Sequence, residues 1–383
     1  MIAEIRIYSF LCLLIFVFIS CNNDFKKNNK VEGKHAVFQN VLDSIYNEHE
    51  GVLGIMAHIE APNKNISWSG AVGVSNKQTK ANLESDQPVL IASNTKTYVA
   101  VSILKLIEQG ELKLDDPVFK YISNTSKNLL NKEGYNVYNI TIRDLMSHTS
   151  GIYDYAETEA YFNTVLANPK KQWSRIEQIK FAMEQGDPLG NPGDVFAYSD
   201  TNYLLLTEVI ESVTNKEFYK AIKELIDYPT LHLNKTWFST LESYPNNVKP
   251  MAYQYISSAN LDSYGVSHTF DLFGGGGIAS TPKDLALFFQ NVFNNKVFKN
   301  EKTLELLRTK ANPKKKMKGE YFLGLTSVEY NAIKGYGHNG FWGTAAFYFP
   351  ELDASIAIVI LEQDQKHLRV DINKALVKAL RVY

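Results

Sequence analysis

Three short segments of this chain carry residue types suited to nucleophilic chemistry. The first is Ser93-Asn94-Thr95-Lys96. On a helix, an offset of three residues places both side chains on one face, with Cβ atoms about 5–6 Å apart. A hydroxyl beside an amine is a nucleophile beside a potential base. The first turn of a helix also leaves backbone N–H groups free to face an anion forming at an acyl carbon. The second segment is Tyr198-Ser199-Asp200, after the turn Asn191-Pro192-Gly193, and the third is His338-Asn339-Gly340, leading into a strand read as starting at Phe341. Taken alone, each has a plain alternative: Ser93 as an N-cap, Lys96 as a surface lysine.

Together, in this order and spacing, the three segments resemble the penicillin-recognising serine hydrolases. The likeness is nearest to the branch holding class C beta-lactamases, D-alanyl-D-alanine carboxypeptidases, esterases and D-aminopeptidases. Leu145-Met146-Ser147-His148-Thr149-Ser150-Gly151 and Gly275-Gly276-Gly277-Ile278-Ala279-Ser280-Thr281 resemble further stretches of that family. The resemblance runs from about Val52 to Leu361. It implies that Ser93 attacks a carbonyl to give an acyl-enzyme, that Lys96 and Tyr198 serve as the base pair, and that the backbone N–H groups of Ser93 and Phe341 form an oxyanion hole. His338 would be a further catalytic residue, and Asp200, Asn339 and Gly340 would line the substrate site. It also implies a small-molecule or peptide substrate, such as a D-alanyl peptide, an ester or a beta-lactam, with no cofactor and a monomeric enzyme.

Physical chemistry constrains those roles. Free lysine and tyrosine ionise near pH ~10, so either is a poor base at neutrality unless burial or a neighbouring charge shifts it. Placed together they can share one proton. Two positions depart from the family pattern. Asp200 stands where asparagine is usual; an ionised carboxylate there would favour protonated Lys96 and oppose a Tyr198 phenolate. The sequence leaves open whether Asp200 is ionised, protonated or turned away. His338 stands where many beta-lactamases carry lysine, and a histidine is a weaker anchor for a substrate carboxylate at neutral pH. Both departures point towards a peptidase or esterase. A penicillin-binding sensor, acylated at Ser93 without turnover, is the alternative of another class.

These residues need elements to hold them. Helical periodicity runs through 36–46, and strand-like runs cover 54–60 and 66–74 around a turn at 61–65. Val99, Ile103, Leu104 and Ile107 mark an apolar helix face, and Gly110 supplies a stop. Ser174 and Glu177 make a capping box, and Thr281-Pro282 starts another helix. Residues 203–213 and 218–226 read as helices, whereas 321–328, 341–349 and 355–361 read as strands before a closing helix through Leu376 and Leu380. Strands at both ends with helices between predict an α+β fold: an antiparallel sheet flanked by terminal helices, formed by about 36–92 and 274–383, with a helical subdomain over about 97–273.

Composition excludes other classes. The 383 residues are 45% hydrophobic, with 40 basic and 41 acidic side chains. That balance lacks the electrostatic footprint of a nucleic-acid binder. Lys314-Lys315-Lys316 is one short basic run, read as a solvated loop. The histidines show no paired metal-ligand spacing. No GxSxG elbow is present, and Gly335 to Gly340 fits GxGxxG but precedes a strand, the wrong context for a dinucleotide. Asp144, Ser147 and His148 are too close in sequence for a typical triad.

The apolar run Ile7 to Ile19 is too short to span a bilayer and resembles an export signal. Ser20-Cys21 resembles a lipoprotein cleavage site, implying signal peptide 1–20, lipid on Cys21 and a polar tether over 21–35. An uncleaved anchor is the alternative. Either reading places the body in the cell envelope of a bacterium, outside the cytoplasm.

Overall fold

Hydrophobic alternation and helix caps build two layers that meet at the reactive segments. The structure is a computed structural model and describes residues 33–383. The signal, Cys21 and most of the tether lie outside the described residues. Helix α1 covers 33–48 and leads to β1 (Gly54–Ala61) and β2 (Ile66–Gly73). A short β3 (Val89–Leu90) and a 3-10 turn at Ala92–Asn94 precede α2 (Thr95–Glu108). Then come α3 (Asn124–Lys132), α4 (Ile142–Met146), α5 (Glu159–Ala167), α6 (Arg175–Gln185), α7 (Asp200–Thr214) and α8 (Phe218–Ile226). Short strands β4 (Thr236–Phe238), β5 (Tyr255–Ile256), β6 (Leu261–Asp262) and β7 (Ile278–Ser280) are followed by α9 (Pro282–Phe293) and α10 (Glu301–Leu307). The chain closes with β8 (Thr326–Tyr330), β9 (Ile333–Asn339), β10 (Thr344–Phe349), β11 (Ala354–Ile360) and α11 (Arg369–Leu380).

The main sheet has the order β2-β1-β11-β10-β9-β8, with every neighbouring pair antiparallel. Successive side chains in a strand point to opposite faces. Ile55, Ala57 and Ile59 therefore pack with Phe38 and Leu42 of α1 and with Ile372 and Leu376 of α11. Met56, Ala357 and Val359 face the other way, into the core built by α2, α7, α8 and α9. This is the expected α+β architecture. The capping box at Ser174 and Glu177 forms, and Thr281 caps α9 with Pro282 in its first turn.

Three details differ from the sequence reading. Ser93 sits in the 3-10 turn before α2, not in the helix. A strand over Ile333–Asn339 was not foreseen, because its glycines at 335 and 337 dilute the alternation. Those glycines are needed there: a Cβ on Gly337 would lie 1.9 Å from the Ala346 carbonyl oxygen of β10. His338 and Asn339 thus end β9, and Phe341 lies in the turn before β10, which starts at Thr344 rather than at Phe341.

Candidate active site

Ser93 is presented by strained backbone. Ala92, just before it, has φ 46°, a left-handed conformation costly for a residue with a Cβ and common at functional sites. Asn94 is fully buried and its side-chain amide donates to the Ile91 carbonyl and the Thr344 hydroxyl, both at 3.0 Å. The turn is therefore locked to the start of β10, and Ser93 stays partly exposed among buried neighbours.

Lys96, on the first turn of α2, is completely buried. Its Nζ donates to Ser93 Oγ at 2.9 Å and to the Gly275 carbonyl at 2.7 Å, and lies 2.6 Å from Asp200 Oδ1. Two of these oxygens accept hydrogen bonds, and Asp200 Oδ1 pairs with the nitrogen by charge, outside hydrogen-bond geometry. The Tyr198 hydroxyl lies beside Ser93, and the Tyr198 ring centre lies 5.0 Å from Lys96 Nζ. Burial, with Asp200 second, pushes the Tyr198 phenol well above its usual range. Asp200 opens α7, and its backbone N–H donates to Asp154 Oδ1 at 2.7 Å. Its carboxylate points at Lys96, which settles the orientation left open by the sequence.

The four-glycine loop makes room for these carboxyls. A Cβ on Gly275 would fall 2.7 Å from Asp200 Oδ2, and one on Gly276 would fall 2.3 Å from Asp271 Oδ2. Burial and the neighbouring Asp200 push Asp154 up to about 7 and Asp271 up to about 8. Sequence reasoning missed both residues. Neither lies in a motif, and only the fold brings them to Lys96.

His338 ends β9 beside the site, 5% exposed. Burial, then the Lys96 charge, lowers its pKa to about 3, so it is neutral and no cationic anchor. Its Nδ1 faces the Asn339 carbonyl at 2.7 Å and must carry the proton of that bond; its Nε2 then accepts from Tyr321 Oη at 3.2 Å. Tyr321 also meets His148 Nε2 at 3.1 Å. His148 Nδ1 accepts from the Ser199 backbone N–H at 3.1 Å, so its proton sits on Nε2. His148 packs 4.3 Å from Tyr198, ring to ring. Ser147 bonds instead to the Arg143 carbonyl and Thr149, so a local Asp144-Ser147-His148 triad does not form.

Asn339, Gly340 and Phe341 line a cavity of about 330 Å³ with Ser93, Tyr198 and His338. Lys366 and Arg369 line it too; sequence reasoning did not foresee either. Arg369 Nη1 donates to the Gly340 and Thr344 carbonyls at 2.9 and 2.7 Å, bracing the turn that carries Phe341. A second, smaller cavity of about 80 Å³ opens on Ser93 from the side of Asp200 and Asp271.

A family model described as Beta-lactamase matches residues 42–381. The chain belongs to the Beta-lactamase family. Within it, the chain is 36% identical over 152 residues to Protein flp of Staphylococcus aureus, covering 39% of this chain and 27% of flp. It thus spans about a quarter of the length of that relative. It is 23% identical over 277 residues to Penicillin-binding protein 4* of Bacillus subtilis, covering 69% of this chain and 57% of the other. Among solved structures, a D-stereospecific amidohydrolase from Streptomyces sp. superposes with TM-score 0.72 at 25% identity, over 88% of this chain and 97% of that one. D-amino acid amidase from Ochrobactrum anthropi SV3 gives TM-score 0.75 at 19% identity, over 90% and 98%. A penicillin-binding protein homologue from Pyrococcus abyssi gives TM-score 0.72 at 25% identity, over 89% and 76%. That homologue is octameric, which weighs against assuming a monomer for this family member.

Proposed function

We propose that this protein is an envelope serine hydrolase that opens an amide through an acyl-enzyme on Ser93, with D-alanyl peptides and D-amino-acid amides as its leading substrate class. The reading rests on one observation above others: Ser93 Oγ receives the Lys96 ammonium at 2.9 Å while facing Tyr198 in a cavity. In the proposed reaction the Lys96–Tyr198 pair first gives up one proton to solvent; Ser93 then attacks the carbonyl carbon and its proton passes to the pair. Tyr198 then returns a proton to the leaving amine. The Ser93 and Phe341 N–H groups hold the oxyanion, a contribution worth about 3 kcal/mol in comparable enzymes. Water resolves the acyl-enzyme. Small esters and, weakly, beta-lactams would enter by the same steps. Lipid on Cys21 would hold the enzyme at the membrane surface.

A fluorophosphonate should add one label to the chain, at Ser93, by intact mass and peptide mapping. Ser93→Ala should take none. Labelling that survives Ser93→Ala would end the proposal. The Asp200–Lys96 ion pair favours one second reading, a penicillin sensor acylated without release. Stopped-flow with a fluorescent penicillin separates the two, since an enzyme regains unlabelled protein and a sensor stays labelled.

A further inference from the structure

Tyr321 lines the larger cavity with Ser93, Tyr198 and His338, yet it belongs to none of the three reactive segments. It is 4% exposed, and its Oη lies 3.1 Å from His148 Nε2 and 3.2 Å from His338 Nε2. The protons on either side of it follow from their partners. Ser150 accepts from the Ile152 N–H and gives its own proton to Asn202 Oδ1 at 2.6 Å. That turns the Asn202 amide nitrogen towards His148 Nδ1, at 3.1 Å, and the Ser199 backbone N–H reaches the same nitrogen. His148 Nδ1 is therefore an acceptor, and its Nε2 carries the ring proton. On the other side His338 Nδ1 donates to the Asn339 carbonyl, so its Nε2 is an acceptor. Only a group that accepts from one imidazole and donates to the other fits between them. A hydroxyl does both. Tyr203 is no competitor for that place, because its hydroxyl donates to the Met146 carbonyl at 3.0 Å.

The result is one directed chain of hydrogen bonds, from the Ser199 N–H through His148, Tyr321 and His338 to the Asn339 carbonyl. Its two ends sit in the second and third reactive segments. The same three rings wall in the Tyr198 ring: the centres of His148, Tyr321 and His338 lie 4.3, 6.1 and 6.2 Å from it. His148 holds its place with φ at 56°, a left-handed backbone that is strained for a residue with a Cβ. Buried networks of this kind rigidify what they join, and deleting one member leaves its neighbours unpaired away from water.

We infer that Tyr321 is a positioning residue for the reaction at Ser93. Its hydroxyl, bonded to His148 and His338, holds the Tyr198 phenol in register with the turn that carries the Phe341 N–H. This deepens the hydrolase reading and rests on it, since that reading makes Tyr198 the leaving-group acid and the Phe341 N–H an oxyanion donor. Misplacing a reacting group by about 1 Å costs on the order of 10²-fold in rate. Tyr321 itself exchanges no proton with the substrate. Burial pushes its phenol well above the usual range, so the proton stays on Oη and the polarity of the chain is kept.

Tyr321→Phe keeps the ring and removes one oxygen. Fluorophosphonate labelling of the wild-type chain is measured first; if Ser93 takes no label, the hydrolase reading fails and this inference falls with it. With labelling present, first-turnover rates are compared for p-nitrophenyl acetate and the p-nitroanilide of D-alanine. The ester's leaving group departs as a stable anion, whereas the anilide needs the proton that Tyr198 returns. The variant should lose about tenfold on the ester and on the order of 10²-fold on the anilide, with half-saturation unchanged within about twofold. Equal losses on the two probes, a loss confined to half-saturation, or no loss overturns the inference while the hydrolase reading stands. A second measurement needs no variant: 15N NMR of the resting wild-type chain should find the proton of His148 on Nε2 and that of His338 on Nδ1. The opposite tautomer at either histidine breaks the chain at Tyr321 and overturns the inference, whether or not Tyr321→Phe folds.

Discussion

Lys96 donates to Ser93 and Gly275 and lies 2.6 Å from the Asp200 carboxylate. Burial, and after it the Asp200 charge, raise the Tyr198 phenol and so oppose the phenolate that could take a proton from Ser93. Asp200→Asn keeps the shape and removes the charge. Acylation of Ser93 by benzylpenicillin at pH 7 is expected to rise, on the order of tenfold, measured by stopped-flow. A clear fall would show that the carboxylate itself accepts the proton. His338 supplies a second expectation at this scale. Its imidazole is lowered to about 3 by burial and by Lys96, so its NMR resonances should stay constant from pH 8 down to about 4. A titration near 6.5 would contradict the neutral ring bonded to Asn339 and Tyr321.

The turn between β9 and β10 carries Phe341, and with it one of the two proposed oxyanion donors. The turn closes on itself, Gly340 N–H donating to the Thr344 carbonyl at 2.8 Å and Gly343 N–H to the Gly340 carbonyl at 3.3 Å. Arg369, at the start of α11, braces it by donating to the same two carbonyls. Arg369→Met would leave both carbonyls without that donor and loosen the aim of the Phe341 N–H. We expect kcat to fall by on the order of 10²-fold, comparable to losing an oxyanion donor, with the fluorophosphonate still reaching Ser93 more slowly. An unchanged kcat would show that the turn is rigid without Arg369. Element-level legibility followed the strength of the pattern. The capped helices and the long apolar strands were readable, because periodicity and caps are local. The strand Ile333–Asn339 was not, since its glycines are there for close contact with β10 rather than for strand propensity.

At the scale of the whole molecule, the site lies where the sheet layer meets the helical layer: β9 contributes His338, α2 contributes Lys96, α7 begins at Asp200, and the glycine loop closes over them. Gathering carboxyls there has a cost in stability. Asp271 keeps its proton up to about 8 in the folded chain, whereas the unfolded carboxyl releases it near 3.8. Between those values the native state binds more protons than the unfolded state, so this group's contribution to stability falls as pH rises. Asp271→Asn abolishes that dependence. Relative to wild type, the variant should gain about 1 kcal/mol of unfolding free energy per pH unit from pH 5 to 8, measured by urea denaturation. A difference that does not change with pH would place the Asp271 ionisation elsewhere. The family, the sheet-and-helix architecture and the three segments Ser93–Lys96, Tyr198–Asp200 and His338–Gly340 were legible in the linear chain, because motif spacing, caps and alternation are written in neighbouring residues. Folding alone makes His338 neutral, sets Asp200 against Lys96 and brings Asp154 and Asp271 to the neighbourhood of Asp200. Those properties come from burial and from charges brought together from distant parts of the chain, and a linear order of side chains carries no dielectric and no distance.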